Sequence, residues 1–269
     1  MPPTVPSLPE FVAPSAWRTV DFISDLHLDA DHPETVRAFS RYLDTTPADA
    51  VFLLGDLFEV WVGDDALQEP GSFEAEGCAL LRRAASRRSL YFMHGNRDFL
   101  VGDGFTTATG VPVLQDPTVL VFAGRRWLLS HGDALCLDDV DYQRFRAVAR
   151  DPQWQAQVLA RPLADRRAQG RSVRAESEAR KQSGSGFYGD VDTAAALAWL
   201  AAADAPALIH GHTHLPADHV LREAAPGGGG APALTRHVLT DWDLDSLAPR
   251  AGALRLTAQG LERVALVPT

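Results

Sequence analysis

Seven side chains able to hold a metal ion stand in five short clusters along this chain: Asp25 with His27, Asp56, Asn96, His131, and His212 with His214. Imidazole nitrogen, carboxylate and amide oxygen together suit borderline-hard divalent ions such as Mn, Fe, Zn and Co. The two cysteines, Cys78 and Cys136, form no paired motif, which argues against a structural zinc site. Asp-x-His on an extended segment sends both side chains to one side, because the repeat along such a segment is two residues. His212 and His214 have the same spacing. One bridging carboxylate can hold two ions about 4 Å apart, the separation used by two-metal hydrolases. A single Asp-x-His or Gly-Asp is more often a turn or a cap, and His94 and His210 taken singly read as supporting or packing residues.

What lifts the five clusters above coincidence is where they fall. Each follows a short run rich in Val, Ile, Leu or Phe: Val20–Ser24, Val51–Leu54, Leu90–Met93, Trp127–Ser130 and Ala207–Ile209. Such runs read as buried strands. Pro33–Thr45 and Phe73–Arg88 lie between them with helical spacing. Strand, helix, strand order implies an α/β sheet, whose ligands bind beyond the carboxyl ends of the strands. All five clusters therefore can converge on one site. Residues 115 to 131 read as two adjacent strands around Ala123-Gly124, and the tail carries strand-like pieces at 234 to 240, 252 to 257 and 261 to 267. Residues 226 to 232, with four consecutive glycines, read as a flexible hairpin loop.

The chain has 269 residues, 25 Lys and Arg against 35 Asp and Glu, and 46% hydrophobic residues. That much apolar surface excludes intrinsic disorder, and two cysteines in a chain of this length exclude a disulfide scaffold. A net charge of −10 argues against nucleic acid as a partner. Residues 1 to 16 hold five prolines and neither a basic nor an apolar region, so they read as a poorly ordered arm and not a signal peptide. The longest apolar stretch, Ala194–Ala203, falls short of the roughly 20 residues that span a bilayer. A cytoplasmic protein with reduced thiols is expected. The stretch from Arg144 to Lys181 is different: ten Lys and Arg against four Asp and Glu give it a local net of +6. Lys181 is the only lysine, so arginine here reflects a general bias and is weak evidence of recognition at any single position.

The motifs Asp25-Leu-His27, Gly55-Asp56, Gly95-Asn96, His131-Gly132 and Gly211-His212-Thr213-His214 resemble the five motifs of the calcineurin-like metallophosphoesterases. The resemblance implies an α/β fold, a four-layer β sandwich flanked by helices. It implies that Asp25, His27, Asp56 and His214 hold one metal, and that Asp56, Asn96, His131 and His212 hold the other, with manganese the foremost candidate. Most members have His after the Asn; here it is Arg97. Arginine cannot act as a general acid, but it neutralises phosphate charge. A leaving group that is itself a phosphate departs without a strong acid, so a pyrophosphate fits better than an alkyl phosphate ester. Asp98 and Asp133 are expected to orient ligand imidazoles.

Longer strings narrow the resemblance. Gly55–Asp64, His94–Leu100, His131–Asp139 and Asp141–Arg146 are similar to the UDP-2,3-diacylglucosamine diphosphatase family of lipid A biosynthesis, over residues 18 to 222. That family releases UMP and 2,3-diacylglucosamine 1-phosphate at the cytoplasmic face of the inner membrane, with peripheral attachment. It carries an inserted helical lid, which maps onto residues 139 to 184, within a core of residues 17 to 138 and 185 to 269. Ten basic groups in that stretch suit a diphosphate and an anionic membrane surface. Phe145, Val148, Trp154, Val158 and Leu163 either line an acyl site or simply pack the lid helices together.

The resemblance carries catalytic roles onto Asp56, Asn96, Arg97 and His212. It carries substrate contacts onto Asn96, Arg97, Asp139, Arg174, Ser177 and His212. Lys181 stands where many members have Asn, and Gly184 where many have Lys. Lys181 either supplies that charge from the adjacent turn or is a solvated surface lysine. Leu215 stands where Arg is frequent, and residues 223 to 245 fall outside the firm resemblance. The rival readings are another phosphoesterase of the superfamily, acting on nucleotides or phosphoproteins, a DNA nuclease, and a non-catalytic scaffold on the same fold. All seven ligands are present, which disfavours the scaffold.

Overall fold

The computed structural model describes residues 4 to 182, 189 to 225 and 232 to 267. The chain runs β1 (Glu10–Val12), β2 (Thr19–Ile23), α1 (Pro33–Thr45), β3 (Ala50–Leu54), α2 (Phe73–Ala85), β4 (Ser89–Met93), α3 (Asp103–Thr109) and β5 (Val113–Leu114). It continues through β6 (Thr118–Phe122), β7 (Arg125–Leu129), α4 (Val140–Ala149), α5 (Pro152–Leu159), α6 (Leu163–Gln182) and α7 (Thr193–Ala203). The last strands are β8 (Ala207–His210), β9 (Asp218–Arg222), β10 (Leu234–Val238), β11 (Gly252–Thr257) and β12 (Gly260–Ala265).

Two six-stranded sheets result, in the orders β12-β11-β2-β3-β4-β5 and β1-β6-β7-β8-β10-β9. β2, β3, β4 and β5 pair in parallel, as do β7, β8 and β10, so their carboxyl ends point the same way within each sheet. Parallel strands are buried on both faces, which is why these segments read as unbroken apolar runs. Phe22, Phe52, Leu54 and Met93 of one sheet and Leu120, Phe122, Leu129 and Ile209 of the other form one buried apolar cluster. α1 and α2 cover the outer face of the first sheet through Phe39, Leu43 and Leu81. α7 covers the second through Ala196, Trp199 and Leu200. Helices, sheet, sheet and helix make the four layers expected from the resemblance.

The helices begin where their caps allow. Ser72 accepts the Ala75 N–H to open α2, and Asp139, Asp151 and Asp192 do the same for α4, α5 and α7. The basic stretch forms α4, α5 and α6, and α4 and α6 are fastened to the core. Arg166, almost fully buried, reaches the Val62 carbonyl and Asp65, and Arg167 pairs with Glu69 and Glu74. Among the described residues, no helix is long and apolar enough to cross a membrane.

The expected disordered arm is corrected. Glu10–Val12 pairs in parallel with Val119–Val121, and Phe11 packs on Trp17, Phe52 and Tyr91. The prolines hid a strand that needs only three residues, because it sits at the sheet edge, where Pro is tolerated on either side. The glycine-rich loop expected at 226 to 232 lies outside the described residues, save for Ala231's neighbour Pro232; so does residue 184, the expected lid boundary. β9, antiparallel to β10, was not foreseen.

Candidate metal centre

The loops after β2 and β3 run side by side and define the centre of the site. Asp25 N–H donates to the Gly55 carbonyl at 3.0 Å, His27 N–H to Asp56 at 3.0 Å and Leu28 N–H to Leu57 at 2.9 Å. The loop after β8 joins the one after β7 through Gly211 N–H and the His131 carbonyl, 3.0 Å. Seven non-glycine residues among those described have a left-handed backbone, and five of them are Asp25, His27, Asp56, His212 and His214. That conformation is costly for ordinary side chains and gathers where the surrounding structure enforces it, commonly at functional sites. Two glycines let the loops close this tightly. A Cβ on Gly95 would collide with the Asp56 carboxylate, and one on Gly211 with that of Asp25.

All seven predicted ligands meet. On one side, His27 Nε2 lies 3.4 Å from His214 Nε2, and Asp25 Oδ1 lies 3.4 Å from the same His214 atom. On the other, Asn96 Oδ1 lies 2.9 Å from His131 Nε2 and 2.8 Å from His212 Nδ1. Asp56 sits between them. Its Oδ2 lies 3.9 Å from His27 Nε2, and its Oδ1 lies 3.7 Å from His131 Nε2. Asp25, His27 and His214 form one metal-sized group of donors, and Asp25, Asp56 and His131 another.

The donor set fits divalent cations. Asp25 is buried and its Oδ1 has no hydrogen-bond partner, while Oδ2 accepts from Ser24 Oγ at 2.5 Å and His212 N–H at 2.9 Å. An orphaned buried carboxylate oxygen is expensive unless a positive charge faces it. Protons take that place in part. Burial opposes it, yet Asp56, Asp25 and Asp133 drive His131 up to about 9. Against the same opposition, Asp241 and Asp25 drive His214 up to about 10. Burial and the neighbouring His131 push His212 down to about 4, leaving it a neutral imidazole. The cluster thus demands positive charge at two places, one in each group of donors.

The groups that hold the imidazoles differ from those expected. Asp98 touches no imidazole: it accepts the Gly95 N–H and Leu57 N–H, each at 2.7 Å, and so ties the Asn96 loop to the Asp56 loop. Burial and Asp56 raise its carboxyl to about 7. Asp133 instead accepts Tyr142 Oη–H at 2.6 Å and Arg146 Nε–H at 2.8 Å, anchoring α4. A backbone carbonyl, that of Leu54, lies 2.9 Å from His131 Nδ1 and orients that ring. Two carboxylates missed in the sequence lie beside two other rings. Glu59 Oε2 lies 2.8 Å from His27 Nδ1, and Asp241 Oδ2 lies 3.4 Å from His214 Nδ1.

The expected substrate contacts are spread over the core and the helical insertion. Arg97 donates its backbone N–H to Asp56 Oδ1 at 2.8 Å, and its guanidinium lies 3.4 Å from Glu59 Oε1. Asp139 caps α4 by accepting the Tyr142 N–H. Tyr142 packs its ring against His212, 5.7 Å between centroids, so α4 walls the site. Arg174, Ser177 and Lys181 fall on α6, but their side chains lie outside the described residues. His94, half-buried, and His210, buried, act as supports, as expected: His94 Nε2 lies 2.8 Å from the Val101 carbonyl, and His210 Nδ1 lies 2.8 Å from the Gly211 carbonyl.

Residues 18 to 216 match the family model described as calcineurin-like phosphoesterase. Three curated relatives carry the name UDP-2,3-diacylglucosamine hydrolase. That of Chromobacterium violaceum is 45% identical over 92% of this chain and 98% of its own length. That of Chromohalobacter salexigens is 44% identical over 83% and 89%, and that of Bordetella pertussis 42% identical over 91% and 93%. With a phosphoesterase model over most of its length and such relatives over nearly all of theirs, the chain belongs to the calcineurin-like phosphoesterase family and, within it, to the UDP-2,3-diacylglucosamine hydrolases.

Proposed function

We propose that the chain hydrolyses the pyrophosphate bond of UDP-2,3-diacylglucosamine to UMP and 2,3-diacylglucosamine 1-phosphate, at two divalent ions, manganese foremost. The observation that carries this reading is the meeting of seven donors from five loops beside Arg97, in a chain whose relatives bear that hydrolase name. Asp25, His27, Asp56 and His214 would hold one ion, and Asp56, Asn96, His131 and His212 the other. Ions bound there supply Lewis-acid charge for the diphosphate and acidify a water for attack.

The chain's own residues set the rest. Attack falls in line on the phosphorus next to uridine, and the lipid-sugar phosphate departs. Arg97 offers charge-assisted hydrogen bonds to the phosphates and no proton, which suits a phosphate leaving group. Arg97 and His212 stabilise the spreading charge, and Asn96 positions the diphosphate. Asp139, Arg174, Ser177 and Lys181 complete the substrate contacts under α4 to α6, which serve as the lid. An apolar wall supports that role: Phe99 of the core lies 6.4 Å from Phe145 and 6.2 Å from Trp154, between ring centroids. Leu137, Val140, Val148 and Val173 are exposed, as are Arg144, Arg161 and Arg171, a mix of apolar and basic side chains that suits peripheral contact with the anionic inner membrane from the cytoplasm.

Phosphorus NMR of the reaction in oxygen-18 water, with metal content measured alongside, tests the reading. Label in UMP is the expected result. Label in the lipid phosphate would overturn the site of attack. Faster turnover of a simple phosphodiester or phosphomonoester would instead identify a phosphoesterase of nucleotides or phosphoproteins.

A further inference from the structure

We infer that Glu59 is a positioning residue that sets a metal-ligand tautomer and aims the phosphate-binding arginine with one carboxylate. The local fold puts it there. Leu28 N–H donates to the Leu57 carbonyl at 2.9 Å, and Glu59 N–H donates to the Leu28 carbonyl at 3.1 Å. These bonds zip the loop after β3 onto the loop after β2, and Glu59 comes to lie beside His27. It is 7% exposed. A carboxylate buried that far is retained only with partners for its charge.

Each oxygen has one. Oε2 makes a close, bent approach of 2.8 Å to His27 Nδ1, and Oε1 lies 3.4 Å from Arg97 Nη1. A carboxylate oxygen and an imidazole lone pair repel at 2.8 Å, so His27 carries its proton on Nδ1. Nε2 then keeps its lone pair on the side of His214 and Asp56, free to ligate an ion between them. The same carboxylate limits where the Arg97 guanidinium can point. Glu59 thereby couples the metal site to the group that receives substrate charge.

Glutamine has the same shape but one acceptor oxygen and an amide donor. In Glu59→Gln, either His27 Nδ1–H or Arg97 meets a donor. Facing the amide, His27 would move its proton to Nε2 and lose its ligand lone pair.

This inference rests on the metal reading above, and two measurements separate its failure from failure of that reading. Nitrogen-15 NMR of the metal-free wild-type protein is expected to show His27 in the Nδ1–H form; the Nε2–H form overturns the inference without reference to metal or substrate. Titration of metal-free protein with Mn²⁺, without substrate, is expected to show about 10- to 100-fold weaker binding in Glu59→Gln than in wild type. Equal affinities overturn the inference. Glu59→Asp, which keeps both acceptors, is expected to restore part of the affinity. In turnover assays Glu59→Gln is expected to raise KM as well as lower kcat, and the KM effect is expected to vanish in an Arg97→Ala background. A KM effect that persists there overturns the coupling to Arg97.

Discussion

Asp241 holds two partners on one oxygen: Oδ2 lies 3.4 Å from His214 Nδ1 and accepts from Arg250 Nε and Nη2 at 2.8 and 2.6 Å. Burial works against the charge, yet His214 and Arg250 hold the Asp241 carboxyl down to about 2. It is therefore ionised at every working pH, and it steadies the ring that faces Asp25. Asp241→Asn is expected to weaken metal binding about 10- to 100-fold and to lower kcat/KM by a similar factor. Mn²⁺ titration of the metal-free variant, set beside its turnover, checks both. Unchanged affinity would show that Arg250 alone secures Asp241 and that His214 is held by other contacts.

Asp241 also shows what the sequence could and could not reveal. Leu234–Val238 is a strand whose buried positions are Leu234, Arg236 and Val238, followed by Leu239-Thr240-Asp241; it ends in a carboxylate as the ligand strands do but lacks their apolar run. Its histidine, His237, lies within the strand and faces Asp218, so nothing marked the carboxylate at the strand's end as part of the site. The seven ligands were legible because their types and strand-end positions are dictated by chemistry and topology together. Glu59 was not, because its role depends on two loops zipping in register, which no spacing records. Asp98 and Asp133 were misassigned because proximity in sequence to Asn96 and His131 says nothing about which way a buried carboxylate turns. β1 was missed because an edge strand needs little apolar signal.

The approach of loops at Gly95 leads to a second prediction. A methyl group there would strike Asp56, whose Oδ1 already accepts the Arg97 N–H at 2.8 Å. Asp56 cannot retreat without breaking that bond. Gly95→Ala is expected to cost about 1–3 kcal/mol of stability, as overpacking of a tight interior does. Turnover is expected to fall far more than stability, because the displaced group is the one lying between both sets of donors. Urea unfolding and kcat measured on the same preparation would separate the two effects.

Metal removal should change stability as well as activity. The site gathers Asp25 and Asp56, an oxygen of Asp25 has no hydrogen-bond partner, and a bound cation relieves that charge. Chelation is expected to abolish turnover and lower Tm. Restoring Mn²⁺ to about 100 times its Kd should return roughly 2.7 kcal/mol, by mass action on the folded state alone. Parallel titrations with Mn²⁺, Zn²⁺, Co²⁺ and Mg²⁺ would rank the ions by Tm and by rate. A chelated protein that keeps near-normal turnover would overturn the metal reading of all seven residues.

The anchoring of α4 gives a prediction in which pH decides the outcome. Asp133 is fully buried, and Arg146 donates to it at 2.8 Å. Burial would raise the Asp133 carboxyl, but Arg146, His131 and Arg150 hold it well below the ordinary range. A carboxyl depressed in the folded state contributes stability in full above its unfolded value near 4, and loses it as pH falls through the folded value. Arg146→Ala leaves the charge without its main partner. The cost expected at pH 7 is about 3–5 kcal/mol, the range for breaking a buried pair from one side. Below pH 4 Asp133 in the variant takes a proton first, so the penalty should shrink as the solution is acidified. Urea unfolding of both proteins between pH 7 and pH 3 would show the two stabilities converging. A penalty that stays constant over that range would mean that Arg146 holds α4 by packing its stem and not by its charge.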